Sequence, residues 1–324
     1  MLNAQSFAPM GPPMAGKRLA GADPVAAVAA VLDRPDEALD YLEAKLALDA
    51  IVDPSLDMAA AREEIERLAM EARRLAGAGA GSARTLSALR TVIYESGPWN
   101  GHHPFAYDHV NFKSIRLKLL ANYLTARRGT CVSMPILFLI LAERLGLDMA
   151  FAFAPCHLYV RHRDELGRIT NLEPTSGAEP ARDVWIRQNF PITDRAVESG
   201  LYMRSLSRRE GVAAMAEPVV HHLKQQGRWN EAADVCGVIL RHSPRDAFAL
   251  GNLGAACGNI LRSEFLEKYR SVFLIPLPLR ARYSLLLQKN HAAYARAEAL
   301  GWEPIQVIRA GPDGVREIER MKRC

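Results

Sequence analysis

A cysteine, a histidine and an acid occur in this chain in an order that suits acyl transfer. Cys131 stands in Gly129-Thr-Cys-Val-Ser-Met-Pro135, just ahead of an apolar run that reaches Leu147. The first N–H groups of a helix favour negative charge, so a thiol there is drawn toward the nucleophilic thiolate. His157 opens a stretch in which Leu158 and Val160 alternate with His157, Tyr159 and Arg161, the pattern of a half-buried strand. Ile169 to Leu172 reads as the returning strand after the turn Asp164-Glu-Leu-Gly167, with Glu173 at its end. With the turn centred near Glu165, His157 falls directly opposite Glu173, at a Cβ separation of about 4.5–5.5 Å. A thiol, an imidazole that activates it and a carboxylate that orients the imidazole are the parts of a cysteine acyl-transfer site. N–H groups at the helix start near Cys131 would hold the oxyanion. Alternation puts Asn171 and Tyr159 on the same face as auxiliary candidates, and turns Cys156 to the opposite face as a structural residue.

These residues need elements to carry them. Ile136, Leu137, Phe138, Leu139, Ile140 and Leu141 are apolar on every face, which predicts a helix wrapped by others. Thr130 or Ser133 serves as its N-cap and Pro135 fits the first turn. Upstream, Asp23-Pro24 opens a short helix, Pro35-Asp36 a second, and a third spans about 58–75. A Gly-Ala joint at 76–82 leads to a helix over about 83–95. Residues 96–113 read as a long loop and about 114–126 as a helix that delivers the chain to the cysteine. His102 and His103 are adjacent in that loop and lack a ligand at zinc spacing, so they read as surface or cleft residues. Met149 to Phe153 reads as a buried strand. Residues 180–210 form a mixed connector, packed back through Trp185, Phe190 and Tyr202, and the chain turns helical again from about 211.

Composition bounds the reading. A chain of 324 residues with 49% hydrophobic content can bury a large core, and its length suggests two domains. The net charge of +5 comes without a Lys/Arg block, which disfavours nucleic acid as a partner. Five widely spaced cysteines argue against a disulfide framework and for a reducing compartment. Residues 1–22 lack a signal-peptide apolar region and read as disordered, and the Ala-rich run 26–32 is too short to span a membrane. The expectation is a cytoplasmic protein with no membrane partner and no cofactor or metal.

Four stretches carry a resemblance: Arg128-Gly-Thr-Cys-Val-Ser133, Leu141-Ala-Glu-Arg-Leu-Gly-Leu147, Pro155-Cys-His-Leu-Tyr-Val160 and Asn171-Leu-Glu-Pro-Thr-Ser-Gly177. Together they resemble the transglutaminase-like superfamily. The nearer likeness is to a bacterial branch in which helices precede the core and tetratricopeptide-like (TPR-like) repeats follow it. The resemblance covers about residues 24–300 and places the nucleophile on Cys131, the histidine on His157 and the acid on Glu173. The superfamily usually has aspartate at that last position, in an Asp-Pro-Thr-like setting. Members of the branch often lack the cysteine, which implies that some are not enzymes. Gln226 to Gly254 resembles one TPR unit and about 261–300 a weaker second, too few for a free-standing solenoid.

The reading is an α+β protein with a papain-like or transglutaminase-like core: a Cys-bearing helix packed on a small antiparallel sheet. Its expected organisation is a disordered N-terminus (1–22), a helical N-terminal segment (23–95), the core (96–210), a TPR-like region (211–302) and a tail (303–324) ending in Cys324. Cys236 and Cys257 read as helix-packing residues. The expected activity is thiol-dependent transfer or hydrolysis of an amide in a peptide or protein substrate, through Cys131, His157 and Glu173. A rival is a non-catalytic interaction or regulatory protein whose TPR-like helices bind a protein partner. A metal-binding regulator built on Cys131, Cys156 and His157 is disfavoured by their spacing.

Overall fold

Four helices open the chain in the computed structural model, which describes residues 23–304. They are α1 (Pro24–Leu32), α2 (Tyr41–Val52), α3 (Met58–Ala76) and α4 (Ser82–Tyr94). Asp23, Asp40 and Asp57 cap the first three, each carboxylate accepting a backbone N–H from the first turn. The helix expected from Pro35 starts instead at Tyr41, because Asp40 supplies the cap and Asp36–Ala38 forms only a 3₁₀ turn. The expected disordered N-terminus and the end of the tail with Cys324 fall outside the described residues.

The loop after α4 is tied down. Asn100 is buried and donates to Val92 O at 3.0 Å and Glu95 O at 2.7 Å. A short strand β1 (Ala106–Tyr107) pairs in parallel with β2 (Arg128–Gly129), which anchors the loop to the residues just before Cys131. The helix expected over 114–126 is broken in two: a 3₁₀ turn, Ile115–Lys118, and then α5 (Leu120–Ala126). The break is held by a charge pair inside the protein. Lys45 donates to Asp49 Oδ1 at 2.5 Å and to Lys118 O at 3.0 Å, while Asp49 Oδ2 accepts Leu120 N–H at 2.7 Å. Both side chains are fully buried.

Helix α6 (Ser133–Arg144) follows, with every residue from Ser133 to Ala142 buried. It packs against α2, α3, α4, α5 and the sheet. Tyr94 stacks on Phe138 with ring centres 6.2 Å apart. Burial of one such apolar side chain contributes about 1.5–3 kcal/mol, so the six-residue apolar core of α6 is a large share of what holds the elements together. The sheet is an antiparallel meander of β3 (Met149–Ala154), β4 (His157–Arg163), β5 (Ile169–Glu173) and β6 (Glu179–Ala181). Phe151, Leu158, Val160 and Leu172 join the core cluster that contains α6. Ala152, Ala154 and Tyr159 pack on the other side with Ile186 and Phe190.

The β4–β5 register departs from the expected one. Val160 pairs with Leu172 and Arg161 with Asn171, so His157 is not opposite Glu173. The turn is one residue longer than Asp164–Gly167. Arg163 pairs with Ile169, and Asp164 Oδ1 accepts N–H groups from Leu166 and Arg168 across the loop. The shift is by two, which keeps each side chain on its face. Cys156 also departs from expectation. It sits in the two-residue turn between Ala154 and His157 rather than on a strand, at φ +55°.

The connector contains α7 (Asp183–Asn189) and α8 (Asp194–Glu198). Five helices complete the described chain: α9 (Arg208–Ala214), α10 (Glu217–Gln225), α11 (Trp229–His242), α12 (Ala247–Leu261) and α13 (Leu277–Ala299). The largest core cluster takes residues from Val28 to Ala297, so the N-terminal, central and C-terminal regions share one interior. Cys236 and Cys257 are buried in these helices.

The Lys45–Asp49 pair makes a direct prediction. Asp49→Ala leaves Lys45 buried without its carboxylate and should lower unfolding free energy by about 3–5 kcal/mol. The double change Lys45→Met with Asp49→Leu should recover much of that loss. Urea unfolding of both variants measures the difference.

Candidate active site

Cys131 lies between β2 and α6, and its position is fixed from both sides. Gly129 has no room for a side chain: a Cβ there would meet the Tyr123 ring at 2.6 Å and Ser133 Oγ at 2.8 Å. Val132, and not Thr130 or Ser133 as expected, occupies the N-cap position of α6 and supplies no side-chain cap, while Thr130 and Ser133 bond one another across that turn. Ser133 Oγ accepts Thr130 N–H at 2.9 Å, and Thr130 Oγ1 accepts Val132 N–H at 3.2 Å and Ser133 N–H at 3.4 Å. The N–H groups expected to serve an oxyanion are therefore partly occupied by a hydroxyl. Cys131 itself is half-buried, with Sγ 3.9 Å from Cys156 O.

His157 is the first residue of β4 and Glu173 the last of β5, and both side chains are buried. His157 Nε2 lies 2.6 Å from Glu173 Oε2. The two-residue register shift makes them diagonal neighbours instead of direct ones, and the reach of Glu173 spans that diagonal. Its second oxygen, Oε1, accepts Thr175 N–H at 3.1 Å and the Thr175 hydroxyl at 2.7 Å. Phe190 stacks on the imidazole with ring centres 4.6 Å apart and planes 20° apart. With Nε2 given to the carboxylate, Nδ1 is the ring nitrogen left for the Cys131 thiol.

The charges follow from this packing. Burial alone would lower the His157 pKa, but the Glu173 carboxylate and the Cys131 contact carry it up to about 10. Burial would raise the Glu173 carboxyl, yet the His157 charge and the hydrogen bonds from His157 and Thr175 hold it below its ordinary 4.5. Both shifts favour the ion pair, imidazolium with carboxylate.

The auxiliary candidates do other things. Asn171 donates to Ala181 O at 3.0 Å and to Asp183 Oδ1 at 2.6 Å, which fixes β6 and the start of α7. Tyr159 packs with Ile186 and Phe190, and its hydroxyl has no hydrogen-bond partner among the described residues. His102 and His103 are exposed on the loop. Among the described residues no cluster of three or more His, Cys, Asp or Glu side chains could hold a metal ion.

Cys131 and His157 open onto a cavity of about 310 Å³. Its walls are mostly apolar and include Phe153 from the sheet, Ile239 and Phe248 from the C-terminal helices, and Trp302 just beyond α13. Three charged side chains also line it. Lys118 donates to Glu217 Oε1 at 2.6 Å, and Asp246, buried, caps α12 through Ala249 N–H at 2.9 Å. Burial pushes Asp246 up to about 6. Cys156 lines the same cavity from its turn, so it faces the site rather than packing behind the sheet. Lys118, Glu217 and Asp246 carry no local sequence signal, because they are brought together only by the docking of α10 and α12 on the core. Thr175 lies within a stretch that the sequence already marks, and Phe190 was legible only as an apolar anchor.

Comparison with known proteins bears on the region of the chain that carries these residues. Residues 59–190 match the sequence model of the transglutaminase-like superfamily, and the mixed helix-and-sheet core of this part of the chain is consistent with that similarity. The matched range runs from α3 to the end of α7 and holds Cys131, His157 and Glu173. No curated protein sequence matches the chain. Among solved structures, a chain described as the crystal structure of menin, revealing the binding site for Mixed Lineage Leukemia (MLL) protein, aligns at 12% identity. The alignment covers 92% of this chain and 95% of that one with a TM-score of 0.36, a likeness too distant to bear on fold or function.

The titration of the pair should show in stability. The raised His157 pKa gives a contribution that is complete below its ordinary 6.5 and fades as pH rises through about 10. The lowered Glu173 pKa gives one that is complete above 4.5 and is lost as pH falls through the depressed value. The stability gap between wild type and Glu173→Gln should therefore peak between pH 4.5 and 6.5 and shrink toward pH 10. Urea unfolding across that range checks it; a gap independent of pH contradicts it.

Proposed function

We propose that the protein is a thiol-dependent acyl-transfer enzyme acting on an amide of a peptide or protein, with Cys131 as nucleophile, His157 as acid and base, and Glu173 as the orienting acid. The observation that carries this reading is the buried 2.6 Å His157–Glu173 pair set against a half-buried thiol at the mouth of an apolar cavity.

In the proposed cycle the Cys131 proton rests on His157 Nδ1, leaving a thiolate beside an imidazolium whose Nε2–H is held by Glu173. The sulfur attacks the substrate carbonyl carbon, and the carbonyl electrons move to oxygen. The N–H of Cys131, which donates to no protein acceptor among the described residues, is the donor placed to meet that oxyanion. Collapse breaks the C–N bond as Nδ1 gives its proton to the leaving amine, and a thioester remains on Cys131. Water or an amine then attacks the thioester, passing a proton to Nδ1 and releasing the sulfur as thiolate. The apolar walls from α11 and α12 limit water around the thioester, so the C-terminal helices form part of the site on this reading.

Iodoacetamide labelling followed by mass spectrometry tests it. At about pH 6.5, some two units below an ordinary thiol pKa, Cys131 should be alkylated selectively over Cys156, which lines the same cavity. His157→Ala should slow labelling at Cys131 by about 10²-fold or more. Labelling of Cys131 no faster than Cys156, or unchanged by His157→Ala, would exclude the proposed nucleophile.

A further inference from the structure

The greatest exposure of apolar side chains lies far from the cavity, on the segment between α12 and α13. Phe273 is 86% exposed, Leu277 76% and Leu274 61%, and Leu266, Val272, Leu279 and Leu285 stand beside them. These seven make up half of the exposed large hydrophobic side chains among the described residues. The segment is held in place. Arg280 donates to Ile275 O and Phe273 O, both at 2.9 Å, and Ser271 Oγ accepts Phe273 N–H. Ile275 alone turns inward, into a cluster with Cys257, Ile260 and Phe265. Pro276 and Pro278 stiffen the chain beyond it. Side chains this exposed stand clear of the surface; they do not line a groove.

Charge surrounds this apolar tip. Residues 262–289 contain six cations, Arg262, Lys268, Arg270, Arg280, Arg282 and Lys289, against two acids, Glu264 and Glu267. That net +4 sits in 28 residues of a chain whose total is +5. Lys268 and Arg270, exposed on the approach to the tip, form no ion pair among the described residues. Arg262 pairs with Glu267 and Arg282 with Glu264, so the cations left unpaired near the tip are led by Lys268 and Arg270. An exposed apolar tip flanked by unpaired cations is complementary to a surface that is apolar below and anionic above. We infer that the segment 266–285 is a docking site for an anionic lipid bilayer, with Phe273, Leu274 and Leu277 entering the acyl boundary and Lys268 and Arg270 meeting the headgroups. A protein partner would need a pocket deep enough to take a convex tip and acids placed around its rim; a bilayer offers both without being shaped. No helix among the described residues is long and apolar enough to cross a membrane, and surface docking asks for none. The inference is independent of the acyl-transfer reading.

Co-sedimentation of the full chain with vesicles tests it. Vesicles of equal parts phosphatidylglycerol and phosphatidylcholine should carry the protein down, and pure phosphatidylcholine should carry far less. Phe273→Ser with Leu277→Ser should weaken binding at least tenfold. Lys268→Ala with Arg270→Ala should weaken it about 25-fold at low salt, near fivefold per cation, and flatten its salt dependence. All four positions are exposed, and unchanged thermal unfolding confirms that each variant is folded. Failure of the wild type to bind anionic vesicles, or binding unaffected by either pair, overturns the inference. So does a dimer by light scattering that forms without lipid and is lost in Phe273→Ser with Leu277→Ser, which would give this face to a second copy of the chain.

Discussion

A helix without a polar face can be buried only if every side of it finds a partner, and α6 imposes that requirement on the rest of the molecule. Helices α2 to α5 and one face of the sheet meet it. The chain just ahead of α6 must at the same time bring Cys131 to a cavity. The reciprocal Thr130–Ser133 hydrogen bonds reconcile the two demands: they satisfy the N–H groups of Thr130, Val132 and Ser133 internally and leave the cysteine backbone outside the helix proper. Gly129 and the β1–β2 pairing fix the chain just before that point. The interior charge pair Lys45–Asp49 works one layer further back, setting where α5 begins.

The site itself rests on a balance of burial against charge. Water is nearly excluded from His157 and Glu173, which would neutralise either one alone, and each keeps the other ionised. Thr175 and Phe190 restrict the two groups to one geometry, the first by hydrogen bonds and the second by stacking. Asn171 acts through a longer chain: it fixes the start of α7, and α7 leads to the phenylalanine that covers the imidazole. The glutamate, where the resembling superfamily usually has aspartate, fits this strand pairing, since its extra methylene spans the diagonal that the observed register creates.

Much of this was legible in the sequence, and the misses share physical causes. The all-apolar pattern of Ile136 to Leu141 revealed the buried helix, because no surface helix tolerates it. The shared face of His157 and Glu173 followed from strand alternation and survived a register error of two. That error came from the turn: Asp164 draws Arg168 into the loop through its side chain, an interaction that counting cannot see. Cys156 was misplaced because the alternation of β4 was carried back past His157, whereas Pro155-Cys156 is a two-residue turn with Cys156 at positive φ. The cavity wall was not legible at all. Lys118, Glu217 and Asp246 meet only through tertiary docking, across more than one hundred residues of chain.

The central claim is that His157 is held as an imidazolium by Glu173 against the Cys131 thiol. The most direct measurement is the NMR titration of the His157 ring in the intact protein, assigned by His157→Gln and repeated in Glu173→Gln. The account predicts a ring that stays doubly protonated through neutral pH and titrates near pH 10, falling toward or below 6.5 when the carboxylate is removed. A ring that titrates near 6.5 in the wild type, or one that Glu173→Gln leaves unmoved, contradicts it.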